Sequence, residues 1–426
     1  MKMKINIIRF LFLLVWTATS IFAKNPAPAF PPKAPFYSNQ DIFVRSGRTA
    51  AYGIPMVDVS AAGTVFAVVN QRLDTHLDSG NEQKVVLRRS FDSGKTWRPE
   101  QVVAEAPLCS AFPTGLVCDN AKDKIFIFYR LSPLIKRADG KGYVYHQAET
   151  KQEGAGSASE AKRGTYVIET SDEGETWSEP RYISDEIILA NGKGTGGQSG
   201  GNGIQLEKGE HKGRLLVSNR SGLGSGIENG VNCVFYSDDH GQTWQGGGWT
   251  RTGVGESCIV ELSDGGVYIS NRNHVPASLG VRSHDISRDG GKTFTEYGVD
   301  PELIEPVCHA GITRYDDKTI LFSNPAKGAA NSSNGWGRRQ RMTVRASFDD
   351  CKTWPVEKLI DPGWAGYSAI TACPDGTILC LYERGVQHST LGGPGASRQD
   401  VAVARFNMAW LLRDDKIKEV IPPPVK

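Results

Sequence analysis

Short runs in which apolar and polar residues alternate recur along the chain: KVVLRRS, KIFIFYR, GRLLVSNR, GVYISNR, KTILFSN and GTILCLYER. A period of two is that of a strand with one buried face, and the Gly, Asp and Asn residues between the runs mark reversals. No segment carries an apolar stripe at helical spacing over three turns. The pattern predicts an all-β fold made of many short strands.

One octapeptide punctuates these runs. SFDSGKTW from Ser90, TSDEGETW from Thr170, SDDHGQTW from Ser237, SRDGGKTF from Ser287 and SFDDCKTW from Ser347 lie 80, 67, 50 and 60 residues apart. That interval suits a four-stranded β-blade rather than a helical repeat. Within each copy the Asp can accept hydrogen bonds from the turn's own backbone, and the closing Trp or Phe can tuck beneath the hairpin. The copies lack the carboxylate run and closing Glu of a calcium loop, so they read as fold hardware. Blades of roughly 60 residues divide the chain between Ile42 and Leu412 into about six. The predicted architecture is therefore a six-bladed β-propeller over 41–415, with one blade lacking the octapeptide.

Composition adds limits. With 426 residues and 39% hydrophobic content the chain can build a large core, and a formal charge of +2 gives no electrostatic case for a nucleic-acid partner or a membrane surface. Lys2, Lys4 and Arg9 precede an apolar run from Phe10 to Trp16, which reads as a signal peptide over 1–23. A secreted or periplasmic protein without stable membrane insertion after cleavage is expected. A Pro-rich lead-in follows over 24–40, a polar loop spans Gln147 to Gly164, and a tail covers 416–426. The eight cysteines show no zinc spacing; Cys109 with Cys118 and Cys373 with Cys380 are the closest pairs, to be weighed against buried free thiols.

The octapeptides resemble the Asp boxes of sialidases (neuraminidases), and further motifs extend that resemblance over almost the whole mature chain. YGIP at 52–55 is similar to the family's Y/F-R-I-P, and Asp78 follows Gly53 by 25 residues, which implies a general acid/base there, with Asp74 as a nearby competitor. Arg72, between the two, joins the substrate-binding candidates. GVGESCIVEL resembles the segment holding the family's site glutamate and nominates Glu256; SNRNH, sixteen residues on, nominates Arg272. Counting eight residues back from Ser347 gives Arg339, flanked by Arg338 and Arg341. GYSAITACPDGTILCLYERG resembles the family's last motif and nominates Tyr367 as nucleophile, with Glu383 in support.

The resemblance implies an exo-α-sialidase that releases terminal sialic acids from glycans or oligosaccharides with retention. The chemistry is coherent: a substrate carboxylate on the anomeric carbon calls for planar bidentate arginines and disfavours a carboxylate nucleophile. A Tyr paired with a base avoids that repulsion, and no metal or cofactor is required. The departure is Gly53, where the family carries its first carboxylate-binding arginine. Arg48 lies five residues upstream, roughly 16 Å along an extended strand; Arg45 is farther, and Arg384 should face away from Glu383. Glu383 would then stand unpaired. A hydrolase for a Kdn- or Kdo-type glycoside and a glycan-binding propeller without turnover are the alternatives.

Overall fold

The computed structural model describes residues 33–78, 80–136, 143–145, 159–195, 201–276, 279–327, 339–385 and 400–413. The expected leader, the 416–426 tail, Arg338 and most of the 147–164 loop lie outside the described residues.

Among the described residues the strands form six antiparallel four-stranded units around an axis, a β-propeller. Blade 1 runs through Thr49–Val59, Val65–Leu73, Gln83–Ser90 and Gln101–Ala104. Blade 2 holds Cys109–Asp119, Lys124–Lys136, Gly164–Thr170 and Arg181–Tyr182. Blade 3 holds Ile204–Gln205, Leu215–Gly222, Gly230–Ser237 and Gln245–Trp249; blade 4 holds Val254–Glu261, Val267–Asn273, Val281–Ser287 and Glu296–Ile304. Blade 5 comprises Gly311–Arg314, Ile320–Pro325, Gln340–Ser347 and the start of the long strand Val356–Ala372. The end of that strand opens blade 6, which continues through Thr377–Arg384 and Asp400–Asn407. Its outermost strand is Tyr37–Phe43, paired antiparallel to Asp400–Asn407. The ring is thus closed by the N-terminal segment, and the strand begins inside the stretch expected as lead-in.

The core lies between blades. Separate apolar clusters fill the interfaces between blades 1 and 2, 2 and 3, 3 and 4, 4 and 5, 5 and 6, and 6 and 1. The octapeptides serve these interfaces. Each joins the third and fourth strands of blades 1 to 5. In the first, Ser90 Oγ accepts from Gly94 N at 2.9 Å, and Asp92 accepts from Thr96 N at 2.9 Å and from Thr96 Oγ1 at 2.7 Å. The fourth and fifth positions are left-handed, as at Ser93 (φ 55°) and Gly94 (φ 80°). A Cβ on Gly94, Gly174, Gly241 or Gly291 would meet Leu379, Phe66, Phe126 or Leu216 at 2.7, 2.9, 2.3 or 2.8 Å, each a side chain of the preceding blade.

The preceding blade also reaches the turn with an arginine. Arg405, Arg89, Arg181 and Arg214 donate to the carbonyls of Ser93, Glu173, Gly241 and Gly290. The octapeptide aromatics follow the same rule: Trp244 and Trp354 sit in the clusters ahead of their blades, and Trp97, Trp177 and Phe294 pack against theirs. These rings wedge blade against blade, and those of Trp97 and Trp177 also lie beneath their own turns, 3.6 and 3.5 Å from a Cβ on Gly94 and Gly174. Blade 6 has no octapeptide because its outer strand arrives from the other end of the chain. Its interface with blade 5 receives Trp410 instead, from the short helix Met408–Leu411.

All eight cysteines are buried free thiols, so neither close pair is bridged. Among the described residues no helix is long and apolar enough to cross a membrane.

Candidate active site

Backbone irregularities on three blades turn site residues toward the axis. The pairing of Val254–Glu261 slips between Gly255 and Ser257, and Glu256 between them has φ 55°. A left-handed non-glycine costs on the order of 1 kcal/mol, which the surrounding sheet must sustain. Val356–Ala372 slips between Ala365 and Ser368, placing Tyr367 in the irregularity. Thr49–Val59 slips between Gly53 and Met56, with Ile54 at φ 54°. Such bulges re-aim side chains that strict alternation would send elsewhere. Ile54, Phe112, Cys308 and Tyr367 form one buried cluster where the strands converge.

Tyr367, Glu256 and Arg272 form a closed triangle. The Tyr367 hydroxyl donates to Glu256 Oε1 at 2.5 Å and accepts from Arg272 Nη1 at 2.9 Å, while Arg272 Nη1 also donates to Glu256 Oε2. Tyr367 is 4% exposed and the Glu256 side chain 12%, so the triangle is nearly closed to solvent. Arg339 is fully buried, donates to the Val307 carbonyl at 2.9 Å and lies 5.5 Å from the centre of the Tyr367 ring. His309 stacks on the Tyr367 ring, with centroids 5.3 Å apart.

Burial pushes the Glu256 carboxyl upward, but the Arg272 charge and the Tyr367 hydrogen bond outweigh it and hold the group at about 2. Glu256 is therefore ionised and able to take the phenolic proton. Burial pulls His309 down to about 4. Burial, aided by the Arg272 charge, pulls His274 down to about 3. Both imidazoles are neutral near pH 7 and add no charge to the cationic face made by the arginines.

Glu383 is fully buried and not stranded, a correction to the expectation from sequence. Its Oε1 accepts from Ile54 N at 3.1 Å and its Oε2 from Tyr367 N at 3.0 Å, tying blade 1 to blade 6. A Cβ built on Gly53 would lie 2.8 Å from Glu383 Oε1 and 2.9 Å from Arg72 Nη2. The guanidinium of Arg72, 0% exposed on the adjacent strand, thus fills the space beside Gly53. Arg48 is engaged with Asp74 and Glu82 at the surface, Arg45 with Asp400, and Arg384 with Asp361 and Asp41. None of these three fills the place.

Asp78 lies half-buried in the loop after Val65–Leu73. Among the described residues it makes no hydrogen bond to Tyr367 or Glu256, and what ties its loop to the site is the His76 carbonyl, which accepts from Arg72 Nη1 at 3.0 Å. Asp74, the nearby competitor, accepts from Arg48 at the surface. His309 was missed in the sequence, since a lone His in VCHAG carries no pattern that marks it.

The BNR repeat-like domain family matches residues 75–380. A sialidase of Micromonospora viridifaciens is 33% identical, with 95% of this chain and 60% of that protein covered. A sialidase of Bacteroides fragilis is 25% identical over 80% of this chain and 61% of that protein, and an exo-alpha-sialidase of Aspergillus fumigatus 26% over 85% of each. The chain spans about three-fifths of the length of the two bacterial relatives. Among solved structures, an intramolecular trans-sialidase from Ruminococcus gnavus superposes with TM-score 0.64 at 20% identity, covering 86% of this chain and 96% of that one. Trypanosoma rangeli sialidase does so with TM-score 0.62 at 17% identity, covering 87% and 59%. The structural likenesses concern the fold, a β-propeller. The chain belongs to the sialidase family of BNR-repeat proteins.

Proposed function

We propose that this chain is an exported exo-α-sialidase that hydrolyses terminal sialic acids from glycans with retention, using Tyr367 as nucleophile. The observation that carries the reading is the Tyr367 hydroxyl held between a carboxylate that takes its proton and a guanidinium that stabilises the phenolate. The membership in a sialidase family and the apolar N-terminal leader support substrate class and export respectively.

Arg272 and Arg339 bind the substrate carboxylate. As that anion draws on Arg272, the guanidinium's hold on Glu256 weakens and Glu256 becomes a stronger base. Tyr367 Oη then bonds to the anomeric carbon, its proton passes to Glu256, and the aglycone oxygen leaves with a proton from Asp78. In the second half Asp78 takes a proton from water, whose oxygen displaces Tyr367, and Glu256 returns the phenolic proton. Asp78 reaches the glycosidic oxygen by loop adjustment on substrate binding, as catalytic hydrogen bonds often form only in the complex.

The test is release from a fluorogenic α-sialoside by the wild type and by Tyr367→Phe. Turnover by the wild type and its near-complete loss in the variant are expected. A wild type inert on sialosides but active on a Kdn or Kdo glycoside would redirect the substrate class, and unaffected release by the variant would sink the mechanism.

A further inference from the structure

Gly53 and Arg72 are two halves of one arrangement. Gly53 pairs with Asn70 across the strand register, and Arg72 lies two residues farther along the same neighbouring strand. The Arg72 guanidinium is fixed on two sides: Nε donates to Asn70 Oδ1 at 3.0 Å and Nη1 to the His76 carbonyl at 3.0 Å. Its Nη2 edge is directed to the point where a Gly53 side chain would begin, beside Glu383 Oε1. A Cβ there at 2.8 and 2.9 Å is nearer than real Cβ atoms come to neighbours, so any side chain at 53 displaces Arg72, Glu383 or both. Glu383 in turn holds the backbone amides of Ile54 and Tyr367.

Resting on the sialidase reading, we propose that Arg72 supplies from the second strand of blade 1 the cation that the first strand lacks. Gly53 is kept bare to admit it. Through His76 the same guanidinium positions the loop that carries Asp78, so the carboxylate-binding face and the general acid are mechanically coupled. An arginine emerging from position 53 would sit on the other strand and would not make the His76 contact.

The coupling gives a signature that mere structural support does not. Arg72→Lys keeps a cation but cannot reach Asn70 and His76 together in fork geometry. A sialoside with a good phenolic leaving group needs little acid assistance, whereas sialyllactose, with an alkyl oxygen, needs Asp78. For Arg72→Lys, kcat/KM on sialyllactose should fall roughly 100-fold, the scale of a small misplacement at a reacting centre. The fall on the aryl sialoside should be about tenfold or less and lie mainly in KM. Gly53→Ala should lose activity on both, while Gly53→Arg in an Arg72→Ala background should recover aryl-sialoside KM but not sialyllactose turnover. Thermal melting separates these effects from misfolding.

Equal losses on the two substrates in Arg72→Lys would overturn the coupling to Asp78. Tighter aryl-sialoside binding by Gly53→Arg in the otherwise wild-type chain would overturn the claim that Arg72 fills the space. A wild type active on sialosides with Arg72→Lys unimpaired sinks this inference alone, whereas an inert wild type sinks the sialidase reading beneath it.

Discussion

Glu256 meets two demands that pull in opposite directions. In the proposed mechanism it stays ionised in a nearly closed site, held so by Arg272, and accepts a proton from Tyr367 when substrate arrives. Glu256→Gln keeps the shape and loses the base, so kcat should drop by about 10²- to 10⁴-fold with a smaller effect on KM, measurable by steady-state kinetics. The buried imidazoles give a second expectation. His309 is depressed from 6.5 to about 4, so the unfolded chain binds a proton there that the folded one refuses. Its contribution to stability is therefore present above pH 6.5 and is lost as pH falls toward 4. Thermal melts should show the wild type losing more stability across that interval than His309→Gln; equal slopes would show that His309 stays solvated. Tyr367, Glu256, Arg272 and Arg339 were legible in the sequence because each sits in a local motif with fixed spacing. Arg72 was visible only as a candidate and His309 not at all. Their roles depend on which strand lies beside which, and no short window of sequence records that.

At the scale of the element, the octapeptide was readable as a turn, but its task was not. Its hydrogen bonds are local and follow from Ser, Asp, Gly and Thr at set positions, whereas the glycine's contact partner and the arginine that caps the turn belong to the preceding blade, and the cavity filled by the aromatic lies between the two blades. Trp244 shows the point: it meets Phe126, Phe128 and Phe235 edge-on at centroid distances of 5.8, 4.8 and 5.6 Å, the first two from blade 2. Trp244→Ala should cost about 3–5 kcal/mol by chemical denaturation. Trp97→Ala, at a partly buried ring, should cost clearly less. The fifth octapeptide places Cys351 at φ 66° where the others have glycine, and this cysteine is buried in the cluster with Trp354 and Tyr268.

For the whole molecule, the interval between octapeptides foretold the number of blades, and the alternating runs foretold their strands. The closure was not foretold, since Tyr37–Phe43 begins in the stretch over 24–40 whose prolines read as a lead-in. That strand buries Phe43 against blade 1, and Tyr37 stacks on Trp410 at 4.5 Å, so the first and last described segments meet at the seam. Removing residues through Phe43 should lower the melting temperature by many degrees and abolish activity together, because Tyr367 and Glu383 belong to the blade thus left incomplete. Retained activity after that truncation would mean the seam is dispensable. The seam matters because the site draws on blades 1, 4, 5 and 6, and only a closed ring brings them together.

The most direct measurement of the central claim is mass spectrometry of the protein after reaction with a 3-fluorosialosyl fluoride, whose ring fluorine slows breakdown of a glycosyl-enzyme. A single sialosyl adduct on the peptide containing Tyr367, absent in Tyr367→Phe, is the predicted result. Turnover of sialosides with the adduct on another residue, or with no covalent adduct and inverted product, would contradict it.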